Sequence, residues 1–175
     1  AIEMDMPTLL VGDTGTGKTS FIRELARERG VELIRLNLTG QTGVDELVGK
    51  HLVRAKEVID PVTKVMTVVS ETYWVNGPLI EAMENGFWLV LDEVNMALPE
   101  ILAKLHSLLD DDKKIFLPEK NNTVIRPKGY FRVFATMNPS DEYTGTKELN
   151  KAFLSRFPVV VNVDYSDNEM DIVVD

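Results

Sequence analysis

No cysteine occurs in the 175 residues, which excludes disulfide bonds and thiolate metal sites and leaves a reducing compartment open. Histidine is nearly as scarce. His51 and His106 are the only two, too few for a histidine-based metal cluster. Basic residues fall short of acidic ones, 19 against 28, for a net charge of -9. Such a chain lacks the concentration of Lys and Arg on which a broad nucleic-acid surface rests, so nucleic acid is not an expected partner, although a local basic loop stays compatible. Long apolar runs are missing as well. Those at 87–91 and 158–161 stop far short of the roughly 20 residues of a membrane span and form no secretory apolar segment. No membrane span is expected, and a cytoplasmic location is the default. Internal repeats, low-complexity tracts and linkers are also absent. What is present, 44% hydrophobic residues in a chain of this length, suffices for one domain with a substantial core.

Against this background one octet stands out. Gly12-Asp13-Thr14-Gly15-Thr16-Gly17-Lys18-Thr19 meets every required position of the phosphate-binding P-loop pattern G-x-x-x-x-G-K-[ST]. Leu9, Leu10 and Val11 lead in as a strand would, and Phe21, Ile22, Leu25 and Ala26 follow at spacings that place them on one helical face. Glycines let such a loop close around a β-phosphate with its N–H groups pointing inward. Lys18 supplies charge to the β- and γ-phosphates, and the Thr19 hydroxyl can ligate magnesium. With Ser20 in the first helical turn, the octet is the candidate site for a nucleoside triphosphate.

Apolar runs alternate with helical patterns along the rest of the chain. Strands are expected at 8–11, 32–36, 87–91, 131–135 and 158–163, mostly as continuous apolar runs suited to a parallel sheet buried on both faces. Helices fit at 18–29, ended by Gly30; at 78–85, opened by Gly77-Pro78 and closed by Gly86; at 99–109; and at 148–153. The expected fold is α/β, a P-loop three-layer sandwich with about five parallel strands. Two insertions read as β-hairpins. One covers 52–70 with a turn at Asp60-Pro61, the other 115–125 with a turn at Asn121-Asn122.

Two further strand ends carry chemistry. Phe87-Trp88-Leu89-Val90-Leu91-Asp92-Glu93 is an apolar strand ending in adjacent carboxylates, the Walker B pattern. Asp92 suits a magnesium ion held through its water shell, and Glu93 suits the polarisation of an attacking water. Phe134-Ala135-Thr136-Met137-Asn138-Pro139 ends another apolar strand in a polar residue. Asn138 is expected at the carboxyl edge of the sheet between the P-loop and Walker B strands, able to orient that water.

In order and content these features resemble the AAA+ ATPases. P-loop, Asp-Glu, strand-terminal Asn and a following Ser155-Arg156-Phe157 span nearly the whole chain. Gly77-Pro78-Leu79, Leu91-Asp92-Glu93-Val94-Asn95-Met96-Ala97, Leu108-Leu109-Asp110-Asp111, Phe116-Leu117-Pro118-Glu119 and Ala135-Thr136-Met137-Asn138-Pro139 look like the MoxR branch. Within it they are similar to the dynein-related group to which midasin and the CbbQ/NirQ-type activators belong. The two hairpins coincide with that branch's inserts.

The resemblance implies ATP and Mg2+ as cofactors, a ring that is usually a hexamer, and a protein partner to be remodelled or activated, with a von Willebrand A-type protein as one form of it. It assigns Arg156 as an arginine finger reaching a neighbour's site, with Lys147 and Lys151 nearby, against the plainer reading of an ion pair with Asp164 or a helix C-terminus in the same subunit. Asn37 resembles the polar partner that restrains the catalytic Glu. Tyr73, Trp74 and the hairpin at 58–69 are candidates for the partner-facing surface, or else pack among themselves. A helical lid normally follows the last strand in this family, so a chain ending at Asp175 is expected to be the large nucleotide-binding subdomain of something longer, with weaker binding and slower turnover by itself. Two other functions fit less of this pattern. One is a nucleotide-gated binding subunit with little turnover; the other is a nucleic-acid translocase or GTPase subunit with Lys56, Lys64, Lys113, Lys114 and Lys120 lining a pore.

Overall fold

The computed structural model describes residues 6–110, 112–139 and 151–164. Its first strand, β1 (Thr8–Val11), hands over through the P-loop to α1 (Lys18–Arg29), followed by β2 (Leu33–Asn37). A short helix α2 (Val44–Val48) then leads into a long ribbon of β3 (Gly49–Ile59) and β4 (Met66–Asn76). After α3 (Pro78–Asn85) come β5 (Trp88–Asp92), a 3-10 turn at Val94–Met96 and α4 (Pro99–Leu109). The small hairpin β6 (Ile115–Leu117) and β7 (Thr123–Ile125) precedes β8 (Arg132–Met137), α5 (Lys151–Leu154) and β9 (Val159–Asn162).

The central sheet has five strands in the order β2-β5-β8-β1-β9, every pairing parallel. Successive side chains on a strand face opposite ways, and both faces are covered at β1, β5 and β8, while the edge strand β9 is largely exposed. Leu89, Leu91, Leu9 and Ala135 face a core built with α3 and α4, through Leu79, Ile80, Met83, Ile101 and Leu105. Trp88, Val90, Leu10 and Phe134 face a smaller core built with Ile22 and Ala26 of α1. This two-sided burial is why the strands read as continuous apolar runs. Pro78 and Pro99 sit at the starts of α3 and α4, where the missing N–H costs nothing.

Several sequence expectations need correction. Phe21 does not join the apolar face of α1 but is 57% exposed. The large ribbon begins at Gly49 and ends at Asn76, beyond the expected 52–70, because only its β-branched middle carries a strand signal. Helix α2 was not expected at all. Of the expected helix 148–153, residues 148–150 lie outside the described residues, as does Lys147.

Trp74 is an anchor rather than a free surface. It packs against the main core, its Nε1 donates to Asn76 Oδ1 at 2.8 Å, and His51 meets its ring edge-on at 5.1 Å. Asn76 Nδ2 donates in turn to Glu84 Oε2 on α3 at 2.7 Å. Lys120, in the turn between β6 and β7, donates to Asn76 Oδ1 at 2.9 Å and to Glu84 Oε1 at 3.4 Å. His51 Nε2 lies 2.7 Å from the Glu119 carbonyl. The root of the long ribbon and the turn of the small hairpin are thereby fastened to each other and to α3. Replacing Trp74 by Ala removes the ring at the centre of this clasp and is expected to cost about 3 kcal/mol, the lower end for a Trp truncation because the residue is only half-buried. Urea denaturation of the variant measures it.

Candidate functional site

The carboxyl ends of β1, β5 and β8 are brought level by the register of the sheet, with Val11 opposite Met137 and Leu91 opposite Ala135. Residues just past these ends, together with β2, line a cavity of about 300 Å3. Ligands of open α/β sheets bind at this edge. The lining contains Thr14, Gly15, Gly17, Lys18, Thr19 and Ser20 of the loop and first helical turn, Asp92 and Glu93 after β5, and Asn138 after β8.

The loop has the shape of an anion cradle. Gly15 and Gly17 have φ of 89° and 80°, a left-handed backbone that turns successive N–H groups inward. Gly12 lies so close to the chain after β9 that a Cβ would stand 2.1 Å from the Val163 carbonyl oxygen. Gly12, Asp13 and Thr16 stand behind the cavity and brace it. Thr16 Oγ1 donates to the Asp13 carbonyl at 2.9 Å, and Lys18 Nζ donates to the carbonyls of Gly12 and Asp13, each at 2.6 Å. Lys18 also reaches Asn138 Oδ1 at 3.3 Å, so the lysine and the Asn expected at the γ-phosphate position meet. Burial holds the Lys18 pKa below the ordinary lysine value of 10.5, against the opposing pull of Asp13, Asp92 and Glu93.

Asp92 is held at both of its carboxylate oxygens. Its Oδ1 accepts hydrogen bonds from Thr19 Oγ1 and Thr136 Oγ1, each at 2.9 Å, and its Oδ2 accepts from Arg35 Nε. Glu93 follows with φ 56° and ψ 47°, a left-handed conformation uncommon for a residue with a side chain and a frequent mark of functional sites. Its backbone N–H donates to Thr136 Oγ1 at 3.2 Å. Thr136 therefore serves both acids at once. Arg35 and Thr136 were missed by sequence reasoning, since each lies inside a strand rather than at its end. Asn37, weighed there as a polar partner of Glu93, does line the cavity, in register with Asp92.

The donor set fits a hard divalent ion. Thr19 and Asp92 offer oxygen atoms only, and no group of three or more His, Cys, Asp or Glu suited to a metal occurs among the described residues. Two protein oxygens beside a phosphate cradle are what magnesium uses when it is held jointly with substrate phosphates and water.

Arg156 is not brought to this cavity. Its Nε donates to Asp110 Oδ1 at 2.7 Å and its Nη1 to the Ala152 carbonyl at 2.5 Å, beside a separate depression lined by Ser107, Asp110, Ser155 and Pro158. The partner within the subunit is thus Asp110, at the end of α4, rather than Asp164. Replacing Thr136 by Val keeps the shape but removes the donor to Asp92 and the acceptor for Glu93. A stability loss of about 1–3 kcal/mol in urea denaturation is expected from these two buried groups.

Comparison with known proteins agrees with this fold. The family model of the AAA domain (dynein-related subfamily) matches residues 7–157. The chain is similar to midasin of Giardia intestinalis, 37% identical over 170 residues, and to midasin of Dictyostelium discoideum, 36% identical over 168 residues. These alignments take in 97% and 96% of this chain and 3% of each relative. An uncharacterised protein of Staphylococcus saprophyticus is 31% identical over 169 residues, 97% of this chain and 59% of the relative. The chain therefore spans a small fraction of the midasins and less than two thirds of the staphylococcal protein. Among solved structures, that of a candidate ATPase from Cytophaga hutchinsonii shares the fold, with a TM-score of 0.65 at 22% identity, covering 99% of this chain and 46% of that one. With a family match running from the residue before β1 to the end of the Ser155-Arg156-Phe157 motif, the chain belongs to the AAA+ ATPases, in the dynein-related subfamily of the AAA domain.

Proposed function

We propose that this chain is the nucleotide-binding subdomain of a magnesium-dependent ATPase of MoxR type, which works as a ring and spends ATP on remodelling or activating a protein partner. The observation that carries the reading is the convergence on one cavity of Lys18, Thr19, Asp92, Glu93 and Asn138, each bearing the chemistry its position requires. Lys18 and the loop N–H groups bind the phosphates. A divalent ion, when bound, would supply charge that offsets that of the phosphates. Thr19 and Asp92 hold it. Glu93 polarises the attacking water, and Asn138, joined to Lys18, orients that water against the γ-phosphate. Arg156 lies outside its own chain's cavity, which suits a finger offered to a neighbouring subunit in a ring, a hexamer in most of the family.

The surface supports a protein load. Val53, Ile59, Val62, Val65, Met66 and Val68 of the ribbon are all more than half exposed, an apolar display that marks an interaction surface. The basic residues that a nucleic-acid pore would need are largely engaged by acids and amides. Lys56 pairs with Glu71, Lys114 with Asp112, and Lys120 with Asn76 and Glu84. A von Willebrand A-type protein is the partner class to test first, and a cytoplasmic setting accords with the absence of cysteine.

Phosphate release by the complete protein tests the reading. Glu93→Gln is expected to bind nucleotide normally while turnover falls by about 10²–10⁴-fold. Lys18→Ala is expected to abolish nucleotide binding. Unchanged turnover in the first variant, or normal affinity in the second, would sink the assigned roles. Binding also depends on pH through Lys18. Its lowered pKa means that the ammonium gives up its proton at a lower pH than a free lysine does. Affinity is expected to fall as pH rises through a value below 10.5, whereas Lys18→Arg, charged throughout, shows no such step.

A further inference from the structure

The third donor to Asp92 comes from a strand that no sequence motif marks. Arg35 and Asn37 lie two residues apart on β2, so their side chains share one face of the sheet, and both border the nucleotide cavity. The Asp92 side chain is 4% exposed and that of Arg35 50%. The ion pair thus spans the wall of the cavity, with a buried anion on the inside and a cation whose far end stays in water. Such an arrangement spares the guanidinium most of its desolvation cost while giving the carboxylate a charge-assisted bond.

Its consequence is orientation. A carboxylate held by one oxygen can turn about its Cβ–Cγ bond; one held at both oxygens cannot. Thr19 and Thr136 hold Oδ1, and Arg35 holds Oδ2. The plane of Asp92 in turn directs the Thr19 hydroxyl, whose proton points at Oδ1, leaving its lone pairs for a cation. We propose that Arg35 is a positioning residue of the metal site, acting through the Asp92 carboxylate to aim the Thr19 oxygen and to fix the acceptor for the metal's water shell. This rests on the reading of the cavity as a site for a nucleoside triphosphate with magnesium. A guanidinium so near also repels an incoming dication. Because Arg35 is half in water, solvent weakens that repulsion, while the buried carboxylate oxygen has no such relief if its partner is lost. Orientation therefore outweighs repulsion.

The test is binding of a fluorescent nucleoside triphosphate to the full-length protein, titrated with Mg2+ and repeated in EDTA, for wild type, Arg35→Ala, Arg35→Gln and Arg35→Lys. In Arg35→Ala the Mg2+ concentration for half-maximal tightening is expected to rise about tenfold, the usual scale for loss of a group that orients a ligand, with binding in EDTA weakened by less than that. Arg35→Lys, which keeps a cationic donor of similar reach, is expected to recover at least half of that shift on a logarithmic scale. Should Arg35→Ala fail to fold, as judged by circular dichroism, Arg35→Gln carries the comparison with the same direction of shift. An unchanged or lowered Mg2+ midpoint, equal weakening with and without Mg2+, or no recovery by lysine would each overturn the proposal. Nucleotide binding by wild type that ignores Mg2+ would instead remove the reading of the site on which the proposal rests.

Discussion

A buried carboxylate at the end of β5 is the constraint on which the rest of the structure depends. Asp92 cannot be left alone at that depth, since a buried charge without partners costs far more than most single contacts return. Its partners come from three directions: Thr19 from the start of α1, Thr136 from β8 and Arg35 from β2. Only a parallel sheet in the order β2-β5-β8-β1 places these elements around the end of one strand. The same three partners fix the geometry of the site. The demand that the core satisfy one anion and the demand that the cavity present ordered oxygens are met by one set of hydrogen bonds.

Packing makes this convergence rigid. Leu89 and Leu91 point to one face and Trp88 and Val90 to the other, all of them buried, so β5 cannot slip by one residue without exchanging its two cores. Asp92 is therefore held at a fixed height, and Glu93 leaves the strand in a left-handed turn that its bond to Thr136 sustains. Backbone conformations of this kind persist only where surroundings over-determine them. Here the surroundings are β8 on one side and the 3-10 turn on the other.

Much of this was legible in the sequence, and what was missed has a common cause. The loop at 12–19, Asp92, Glu93 and Asn138 stand where apolar runs end, and the break in pattern exposes them. Arg35 and Thr136 stand inside strands, Arg35 between apolar neighbours and Thr136 within an otherwise apolar run. Their roles exist only through register, which no single segment contains. Asn37 ends its strand too, but its role is one the family resemblance implies. Helix α2 escaped because five residues give too little periodicity to register a helical face. Phe21 was misplaced because spacing alone marks a helical face but not its edge, and Ile22 and Ala26 fill the inward positions. For Arg156 the readings within the subunit were Asp164 or a helix C-terminus, and Asp110, at the end of α4, was not named because it lies 46 positions away in sequence.

The ribbon makes mechanical sense when its two ends are compared. At its tip the strands have no second layer, and a two-stranded hairpin alone in water is marginal at best. At its root Trp74, Asn76, Glu84 and Lys120 bind it to α3 and to the second hairpin. The nucleotide cavity reaches that root through short, ordered steps. Leu38, the residue after β2, donates its N–H to the Asp92 carbonyl at 2.9 Å and is fully buried; Thr39 and Thr42 then hold each other's turn, and α2 leads directly into β3. Eleven paired residues at roughly 3.3 Å each carry the tip about 36 Å from the root. At that length a turn of about 5° at the root would move the tip by about 3 Å, a displacement of side-chain size where the apolar residues are exposed. A firmly clasped root is what such leverage needs, because slack there would absorb the motion before it reached the tip.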